Sequence, residues 1–254
     1  MSKLDLPPYK VVYSCLVGFG FDLTTKSIKV VKFANLRCDK AVEYEYINCA
    51  EVYDLGSGSW KVLHVDDSLQ QVVVLDGPTN GMYNNNDGVF HWYSHDDSRG
   101  NIRRHLLVLS FDMSRELFHM TPMPEKYNAF GTLFHFSLLR DSLAVNFSVL
   151  KAGHRTTEIW VMKNDFYRGI ESGESFSSYS WSHELTVELP AHRPCFSMGF
   201  LNKNELLLWE LDWEPTPFLY DIVTKKARDL GELNFIYKES LVSVKGGYGN
   251  NSIL

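Results

Sequence analysis

The sequence predicts an all-β fold, built as a propeller-like repeat of short antiparallel hairpins. Apolar residues alternate or run together in windows of about five to eight residues between turn signals, which is typical of strands rather than helices. Aromatic residues are also abundant, with 16 Phe, 13 Tyr and 6 Trp in the chain. These large side chains favour pleated, half-buried sheet surfaces.

Eight segments predict strands most clearly, and clusters of Gly, Asn, Asp and Ser separate them. In chain order they are Ile28 to Phe33, Val89 to Tyr93, Leu106 to Phe111, Leu143 to Val149, Glu158 to Met162, Leu185 to Leu189, Leu206 to Leu211 and Leu241 to Val244. The predicted loops are 54–59, 76–81, 84–88 and 169–173. We interpret residues 164–180, which are rich in Gly and Ser, as an insertion within one repeat.

A short motif recurs where strands end: an aromatic residue, then Asp, then a polar turn and a second strand. Four copies are clear and a fifth, degenerate one runs from Ile159 to Pro190; the clear ones are Phe21-Asp22, Tyr53-Asp54, Phe111-Asp112 and Tyr220-Asp221. The Asp side chain can accept hydrogen bonds from backbone N–H groups of the turn. The copies are roughly 32 to 61 residues apart, near the length of a propeller blade. Such units bury their apolar faces by stacking, and the sequence leaves open whether they close a ring.

Composition limits the domain organisation and the class of partner. The net charge of −6 argues against nucleic acid, which is bound by Lys and Arg, and suits a mildly basic protein partner. The N-terminus lacks a secretory signal and no stretch is apolar enough to span a membrane, so we expect a cytoplasmic or nucleocytoplasmic protein without a membrane partner. No boundary divides the chain, which predicts one domain over 1–254 with its core at about 11–245.

No constellation in the sequence indicates catalysis, a cofactor or a metal. The four cysteines are scattered without C-x-x-C spacing. His91 and His95 lie in a strand-like segment, where four residues separate two side chains by about 13 Å, too far for chelation. Gly18-Phe-Gly20 lacks the remainder of a phosphate loop, and we interpret its glycines as sites of close strand packing. We therefore expect a binding protein and not an enzyme.

Several loop residues are candidates for contact with a partner. Charged side chains in the loop after the predicted strand at Val89 can pair with a charged partner, and Arg is favoured at interfaces. Tyr in loops, such as Tyr83, Tyr167 and Tyr179, supplies contact area at low entropic cost, although each of these could equally be a core anchor. The candidate contact residues are Asp96, Asp97, Arg103, Arg104, Tyr167 and Tyr179.

The ordered motifs resemble the F-box-associated domain of plant F-box proteins, type 1 and kelch-like. The resemblance covers about residues 11 to 245 and rests on the order of the motifs, because each alone is weak. The motifs are Gly18-Phe-Gly-Phe-Asp22, Glu51-Val-Tyr-Asp54, Gly88-Val-Phe-His-Trp-Tyr93, Leu109-Ser-Phe-Asp112, Glu158-Ile-Trp-Val-Met-Lys163, Leu206-Leu-Leu-Trp209, Leu219-Tyr-Asp221 and Tyr237-Lys-Glu-Ser-Leu241. Three segments, Phe90-His-Trp-Tyr93, Glu158-Ile-Trp-Val-Met-Lys163 and Tyr237-Lys-Glu-Ser-Leu241, are most similar to the S-locus F-box group.

The resemblance implies a substrate receptor. In that family an N-terminal F-box binds the adaptor of an SCF-type cullin-RING ubiquitin ligase, and the propeller-like domain captures the protein to be ubiquitinated. In the S-locus group the captured protein is a basic pistil ribonuclease, in self-incompatibility. The F-box is missing before the first motif of this sequence, so adaptor binding is expected only through a segment that the 254 residues do not contain. The alternatives are a stand-alone binding module or decoy, and a hydrolase such as a glycosidase, which would need paired carboxylates about 5 to 9 Å apart.

Overall fold

The structure is a computed structural model, and it describes eleven stretches of the chain. These are residues 10–39, 44–74, 81–96, 105–124, 126, 133–139, 141–151, 154–163, 180–188, 195–210 and 217–230. Within them lie 17 strands and one short 3-10 helix, Leu69–Gln71. No helix in these stretches is long and apolar enough to cross a membrane.

The strands form four antiparallel sheets, and each sheet is built from consecutive strands. Sheet 1 contains β1 (Lys10–Phe21), β2 (Ile28–Asp39), β3 (Tyr44–Asp54) and β4 (Ser59–Leu63). Sheet 2 contains β5 (Val72–Val74), β6 (Gly81–Asn84), β7 (Val89–Asp96), β8 (His105–Asp112) and β9 (Leu117–Pro122), with β5 and β6 both paired to β7. Sheet 3 contains β10 (Leu133–Leu139), β11 (Ser142–Lys151), β12 (His154–Met162) and β13 (Trp181–Glu188). Sheet 4 contains β14 (Cys195–Phe200), β15 (Glu205–Glu210), β16 (Pro217–Asp221) and β17 (Lys226–Asp229).

The sheets pack face to face in chain order, so that one apolar cluster lies between each successive pair. The first cluster joins sheets 1 and 2 through residues such as Phe33, Val52 and Leu109. The second joins sheets 2 and 3, with Val108 against Phe147, and the third joins sheets 3 and 4. Antiparallel sheets of about four strands that stack in this way are the blades of a propeller, which confirms the predicted all-β, propeller-like fold.

Two glycines of β1 let sheet 1 approach sheet 2 closely. A Cβ atom built on Gly18 would lie 2.5 Å from the Trp92 ring, and one on Gly20 would lie 2.4 Å from the Tyr83 ring. Real Cβ atoms are not found so close to another heavy atom. The interpretation of Gly18-Phe-Gly20 as a site of close strand packing is confirmed.

Seven of the eight predicted strands coincide with observed ones: five lie within them, and the predictions at Leu185 and Leu206 each end one residue beyond the observed strand. Leu241 to Val244 lies outside the described residues, as do 169–173 and most of 76–81. The strand list missed ten of the 17 observed strands, among them β3, β10 and β14. Polar residues interrupt the apolar pattern of β3, and its buried side chains include Asn48, whose Nδ2 donates to the carbonyl oxygens of Leu69 and Val72. Such tertiary partners are invisible to a pattern of hydrophobicity.

The relation between the repeat and the sheets differs from the sequence interpretation. Asp22 and Asp54 were expected to belong to different units, but they end β1 and β3 of the same sheet. A sheet of four strands has two turns at the same end, and either turn can carry the motif. The motif therefore marks a turn rather than a blade, which explains the uneven intervals.

Candidate partner-binding face

The recurring Asp caps the hairpin turn that follows it. Asp22 Oδ1 accepts hydrogen bonds from the N–H groups of Thr24 and Thr25 at 2.8 and 3.0 Å. In the same way, Oδ1 of Asp54, Asp112 and Asp221 accepts hydrogen bonds from the N–H groups of the second and third residues after each Asp. The predicted capping role is confirmed at all four copies.

The turns share a second feature, a residue with positive φ at their fourth position. Its N–H group donates to the carbonyl oxygen of the capping residue, as in Lys26 to Asp22 at 2.9 Å. The fourth residue is Gly58 or Gly88 in two turns, but elsewhere it is Lys26, Glu116 or Lys225, with φ between 56° and 59°. A non-glycine residue in this left-handed conformation is uncommon, so the local hydrogen bonds must offset its cost.

Four of these turns meet on one surface, which we call the turn face. Leu23 N–H donates to Ser114 Oγ at 3.0 Å and joins sheet 1 to sheet 2. Asn84 Nδ2 donates to the Asp141 carbonyl oxygen at 3.0 Å and joins sheet 2 to sheet 3. The second turn of sheet 1 is tied to the first by Ser27 Oγ, which donates to Asp54 Oδ1 at 2.8 Å. The turn face comprises residues 22–27, 54–58, 84–88 and 112–116, and Asp141.

A buried lysine holds the turns of sheets 1 and 2 together. Lys29 Nζ lies 2.7 Å from Asp22 Oδ2 and 2.8 Å from Glu116 Oε1, and it donates to the Met113 carbonyl oxygen at 2.9 Å. The Lys29 and Asp22 side chains are only 4% and 1% exposed. Lys61, on the surface, pairs with the other oxygen of Glu116. One ion network thus crosses from β2 to the turn between β8 and β9.

The network shifts the pKa of each group in it. Burial alone would raise the pKa of Asp22, but the hydrogen bond from Lys29 and the turn N–H groups outweigh it, so this pKa lies well below its usual value. Burial is likewise outweighed at Glu116, whose pKa is lowered by Lys29 and Lys61. Burial would lower the pKa of Lys29, but Asp22 and Glu116 raise it. All three groups are therefore charged at neutral pH.

One carboxyl group of the turn face behaves in the opposite way. Asp87 accepts hydrogen bonds from Asn84 Nδ2 at 2.9 Å and from Val89 N–H at 3.1 Å, but the causes of its shift include no cation. Burial, the largest cause, raises the pKa of Asp87 to about 6. The charge of the turn face therefore changes in weakly acidic solution.

Apolar side chains project from this rigid base into solvent. Leu23 and Leu55 follow the capping aspartates directly, and Leu117 follows the turn between β8 and β9. They are 37%, 40% and 48% exposed. Surface turns on a rigid scaffold commonly carry binding residues, and a preordered surface loses little entropy when it binds. The turn face has the chemistry of a protein-binding surface.

Of the predicted contact residues, the described part of the chain contains Asp96 alone, and it lies away from this face. Asp96 is the last residue of β7, and the seven steps back to Val89, next to the turn at 84–88, put it about 23 Å from that turn along the strand. Asp97, Arg103, Arg104, Tyr167 and Tyr179 lie outside the described residues. None of the turn residues was predicted as a contact from the sequence, although the Asp motif located three of the four turns of this face.

The other singled-out residues have structural roles in the described chain. Tyr83 is an anchor: its hydroxyl accepts the Phe21 N–H at 2.8 Å and donates to the Phe21 carbonyl oxygen at 3.0 Å. His91 and His95 are buried in β7, and His91 Nδ1 lies 2.8 Å from Ser110 Oγ. Burial lowers the pKa of His91 to about 3, which keeps the ring neutral. No group of three or more potential metal ligands occurs among the described residues.

Comparison with known proteins identifies the family. A relative from Arabidopsis thaliana, named "Putative F-box protein At3g21120", is 25% identical over 176 residues. The aligned part is 66% of this chain and 42% of the relative, so the chain spans less than half the length of that protein. The family model for the F-box associated beta propeller domain matches residues 6–243. This match extends over nearly the whole sequence, and the chain therefore belongs to the F-box associated beta propeller domain family.

Proposed function

We propose that this chain is the protein-binding part of an F-box protein and that it holds a substrate for ubiquitination by an SCF-type cullin-RING ligase. The observation that carries the proposal is the family match over residues 6–243. The relative named as an F-box protein supports it. The ligase adaptor would bind through an F-box, and this chain would supply the substrate contacts without catalysing a reaction.

The turn face is the surface proposed to contact the substrate. Hydrogen bonds between side chains and backbone groups, together with the Lys29 network, fix its turns before a partner arrives. Leu23, Leu55 and the adjacent Leu117 offer exposed apolar anchors. Apolar anchors on a fixed surface, surrounded by polar groups, are the usual composition of an interface.

The charge of the turn face favours a basic partner. The turn face contains six carboxyl groups and two cations. Lys29 and Lys61 lie outside the turns but pair with their carboxylates, and they raise the number of cations to four. The net charge of the whole chain, −6, has the same sign. A basic ribonuclease, as in the S-locus group, is the specific substrate that this proposal favours, because complementary charge speeds encounter.

Affinity capture of the full-length gene product tests the ligase role. An adaptor and a cullin should copurify with it, and the bound substrate should accumulate when the cullin is inhibited. Recovery of a substrate without any cullin, from the full-length product, would instead establish the alternative of a stand-alone binding module or decoy.

A pair of variants tests the turn face separately. Leu55→Asp should weaken capture of the substrate at least tenfold, because it places a charge at an apolar anchor. Val223→Asp, at a 69% exposed position of the turn between β16 and β17, is the matched control and should leave capture unchanged. Equal loss in both variants, or in neither, would refute the assignment of this face.

A further inference from the structure

Glu116 is the carboxylate of the turn face that two lysines share from opposite sides. Its Oε1 lies 2.8 Å from the buried Nζ of Lys29, and its Oε2 pairs with Lys61 at the surface. Lys61 alternates along β4 with Trp60 and Val62, which lie on the outer face of sheet 1, the side that does not pack on sheet 2. The Lys61 side chain therefore extends toward sheet 2, across the joint between the two sheets.

The two lysines differ in how firmly they are held. The Lys29 side chain is 4% exposed and also bonds Asp22 and the Met113 carbonyl oxygen, so it stays on Oε1 of Glu116. The Lys61 side chain is 65% exposed. Exposed ion pairs contribute little to stability, and an ammonium group is strongly hydrated, so Lys61 can leave Oε2 for solvent at low cost.

The Glu116 carboxylate is fixed in place before any partner binds. Its backbone has a φ of 56°, and its N–H group donates to the Asp112 carbonyl oxygen at 2.9 Å. The side chain is 18% exposed, with one oxygen held by Lys29. A group that is already ordered loses little entropy when it gains a new partner. Next to it, Leu117 presents a side chain that is 48% exposed.

Most other carboxylates of the turn face serve the turns themselves. Asp22, Asp54, Asp87 and Asp112 accept hydrogen bonds from backbone N–H groups within or next to their own turns. Glu116 differs in that its carboxylate links two sheets and presents one oxygen to a side chain in solvent.

We propose that Oε2 of Glu116 is the contact point for an arginine side chain of the substrate, which displaces Lys61. This inference rests on the proposed function, because it places one residue of the substrate on the turn face. Arginine fits better than lysine, since the guanidinium is more weakly hydrated and Arg is enriched at interfaces where Lys is depleted. Its aliphatic stem can pack on Leu117 while the guanidinium donates to the carboxylate.

Peptides selected from a random library displayed on phage test the contact. The full chain is the target, and peptides that bind Leu55→Asp equally well are removed, which leaves those that contact the turn face. Each Arg of a selected peptide is then replaced by citrulline, which keeps the shape of Arg without its charge. One such replacement should weaken binding to the wild type at least tenfold and to Glu116→Gln less than twofold. Glu184→Gln, the same change at an exposed position of β13, is the matched control and should behave like the wild type.

Lys61→Ala tests the displacement without altering Glu116 or Lys29. It removes the competitor for Oε2 and should strengthen binding of the same peptide at least twofold. Weaker binding would show that Lys61 itself holds the peptide, which overturns the proposal. Selected peptides without Arg, or an equal citrulline effect in the wild type and Glu116→Gln, would overturn it as well.

The selection also separates this inference from the proposed function. If Leu55→Asp weakens binding but the citrulline effect does not depend on Glu116, the turn face remains the binding surface and only the arginine contact is refuted. If every selected peptide binds Leu55→Asp as well as it binds the wild type, the assignment of the turn face fails, and the arginine contact fails with it.

Discussion

The turn after Asp22 and the turn after Asp221 have the same local geometry in different surroundings. In each, two N–H groups bond the Asp carboxylate at 2.8 to 3.0 Å, and the fourth residue, Lys26 or Lys225, has a positive φ near 58°. Asp22, however, is buried against Lys29, whereas the Asp221 turn is open to solvent. Both have a lowered pKa, but at Asp221 the first cause is the hydrogen bond from Thr224 N–H.

The comparison separates the interactions that form a turn from the interactions that connect the turn to the rest of the domain. The cap and the left-handed fourth residue form the turn in both places, and both features lie within five consecutive residues of the sequence. Among the described residues, an ion network with another sheet occurs at the first turn, whereas the second turn meets another sheet through Ile222, which packs against the cluster between sheets 3 and 4. Loss of the capping hydrogen bonds should therefore have a similar effect on the stability of the two turns. Substitution of residues around the cap should have very different effects at the two turns.

The largest expected effect comes from Lys29→Met. It leaves Asp22 and Glu116 without their buried cation, and an unpaired buried charge costs about 3–5 kcal/mol. Urea unfolding at pH 7 measures the loss. The double variant Lys29→Met/Asp22→Asn is the control: Asn keeps a capping oxygen but removes one charge, and it should recover part of the stability. A loss below about 1 kcal/mol in the single variant would show that the network does not hold the sheets together.

Acidic pH should reduce the difference in the free energy of unfolding between the wild type and Lys29→Met. Asp22 and Glu116 have lowered pKa values, so the stability from their ionised forms is present above the unfolded values near 4 and is lost as pH falls through the folded ones. The free energies of the wild type and Lys29→Met should therefore differ by a constant amount above about pH 5 and converge below pH 4. Divergence in acid would contradict the assignment of charges.

Tyr83→Phe should have the next largest effect, because its hydroxyl anchors the residue before Asp22. Both backbone groups of Phe21 lose their partner, at a cost of about 1–2 kcal/mol. Tyr53→Phe, on the outer face of sheet 1, is the matched control, with an expected change within about 0.5 kcal/mol. Equal losses in urea unfolding would mean that the hydroxyl does not secure the first turn.

A smaller effect is expected from the pH dependence of Asp87. Its pKa is raised to about 6, so the folded state disfavours the carboxylate. The contribution of Asp87 to the free energy of unfolding should therefore fall by about 1 kcal/mol as pH rises from 4 to 7. This is less than the full pKa shift would give, because water reaches the carboxyl group. Asp87→Asn should lack this contribution. The gap between the variant and the wild type should therefore change with pH in that window and stay constant above pH 7.

The smallest effect is expected from Asp221→Ala. It removes only the cap of an exposed turn, so the midpoint of urea unfolding should fall less than in Asp22→Ala, which also removes a partner of Lys29. The two alanine variants thus measure the contribution of the surroundings directly. Equal shifts would mean that the ion network adds nothing to the cap.

The fold was predictable from sequence as far as local patterns determine it. The capping role of Asp22, Asp54, Asp112 and Asp221 follows from residue type and position alone. The pairing of two capped turns in one sheet does not, because the motif is the same whether the next strand belongs to the same sheet or to the following one. Burial of polar residues such as Asn48 also depends on partners that are distant in sequence.

The candidate site was predictable to a smaller extent. Charge and aromatic content directed attention to Asp96 and its neighbours, because long loops are conspicuous in a sequence. The turn face consists of short turns with ordinary residues. Its turns are held together by the contact between Lys29 and Glu116, which are 87 positions apart in the sequence. The residues next to Lys29 and those next to Glu116 give no indication of this contact.

The open turn between β16 and β17 has a practical consequence. Its only described backbone ties outside sheet 4's own ladder are to its cap and to Asn204 of the neighbouring turn, and Val223 at its tip is 69% exposed. Exposed tips of this kind tolerate inserted sequence. A fluorophore or epitope introduced here would report on the domain while leaving both the turn face and the outer face of sheet 1 untouched.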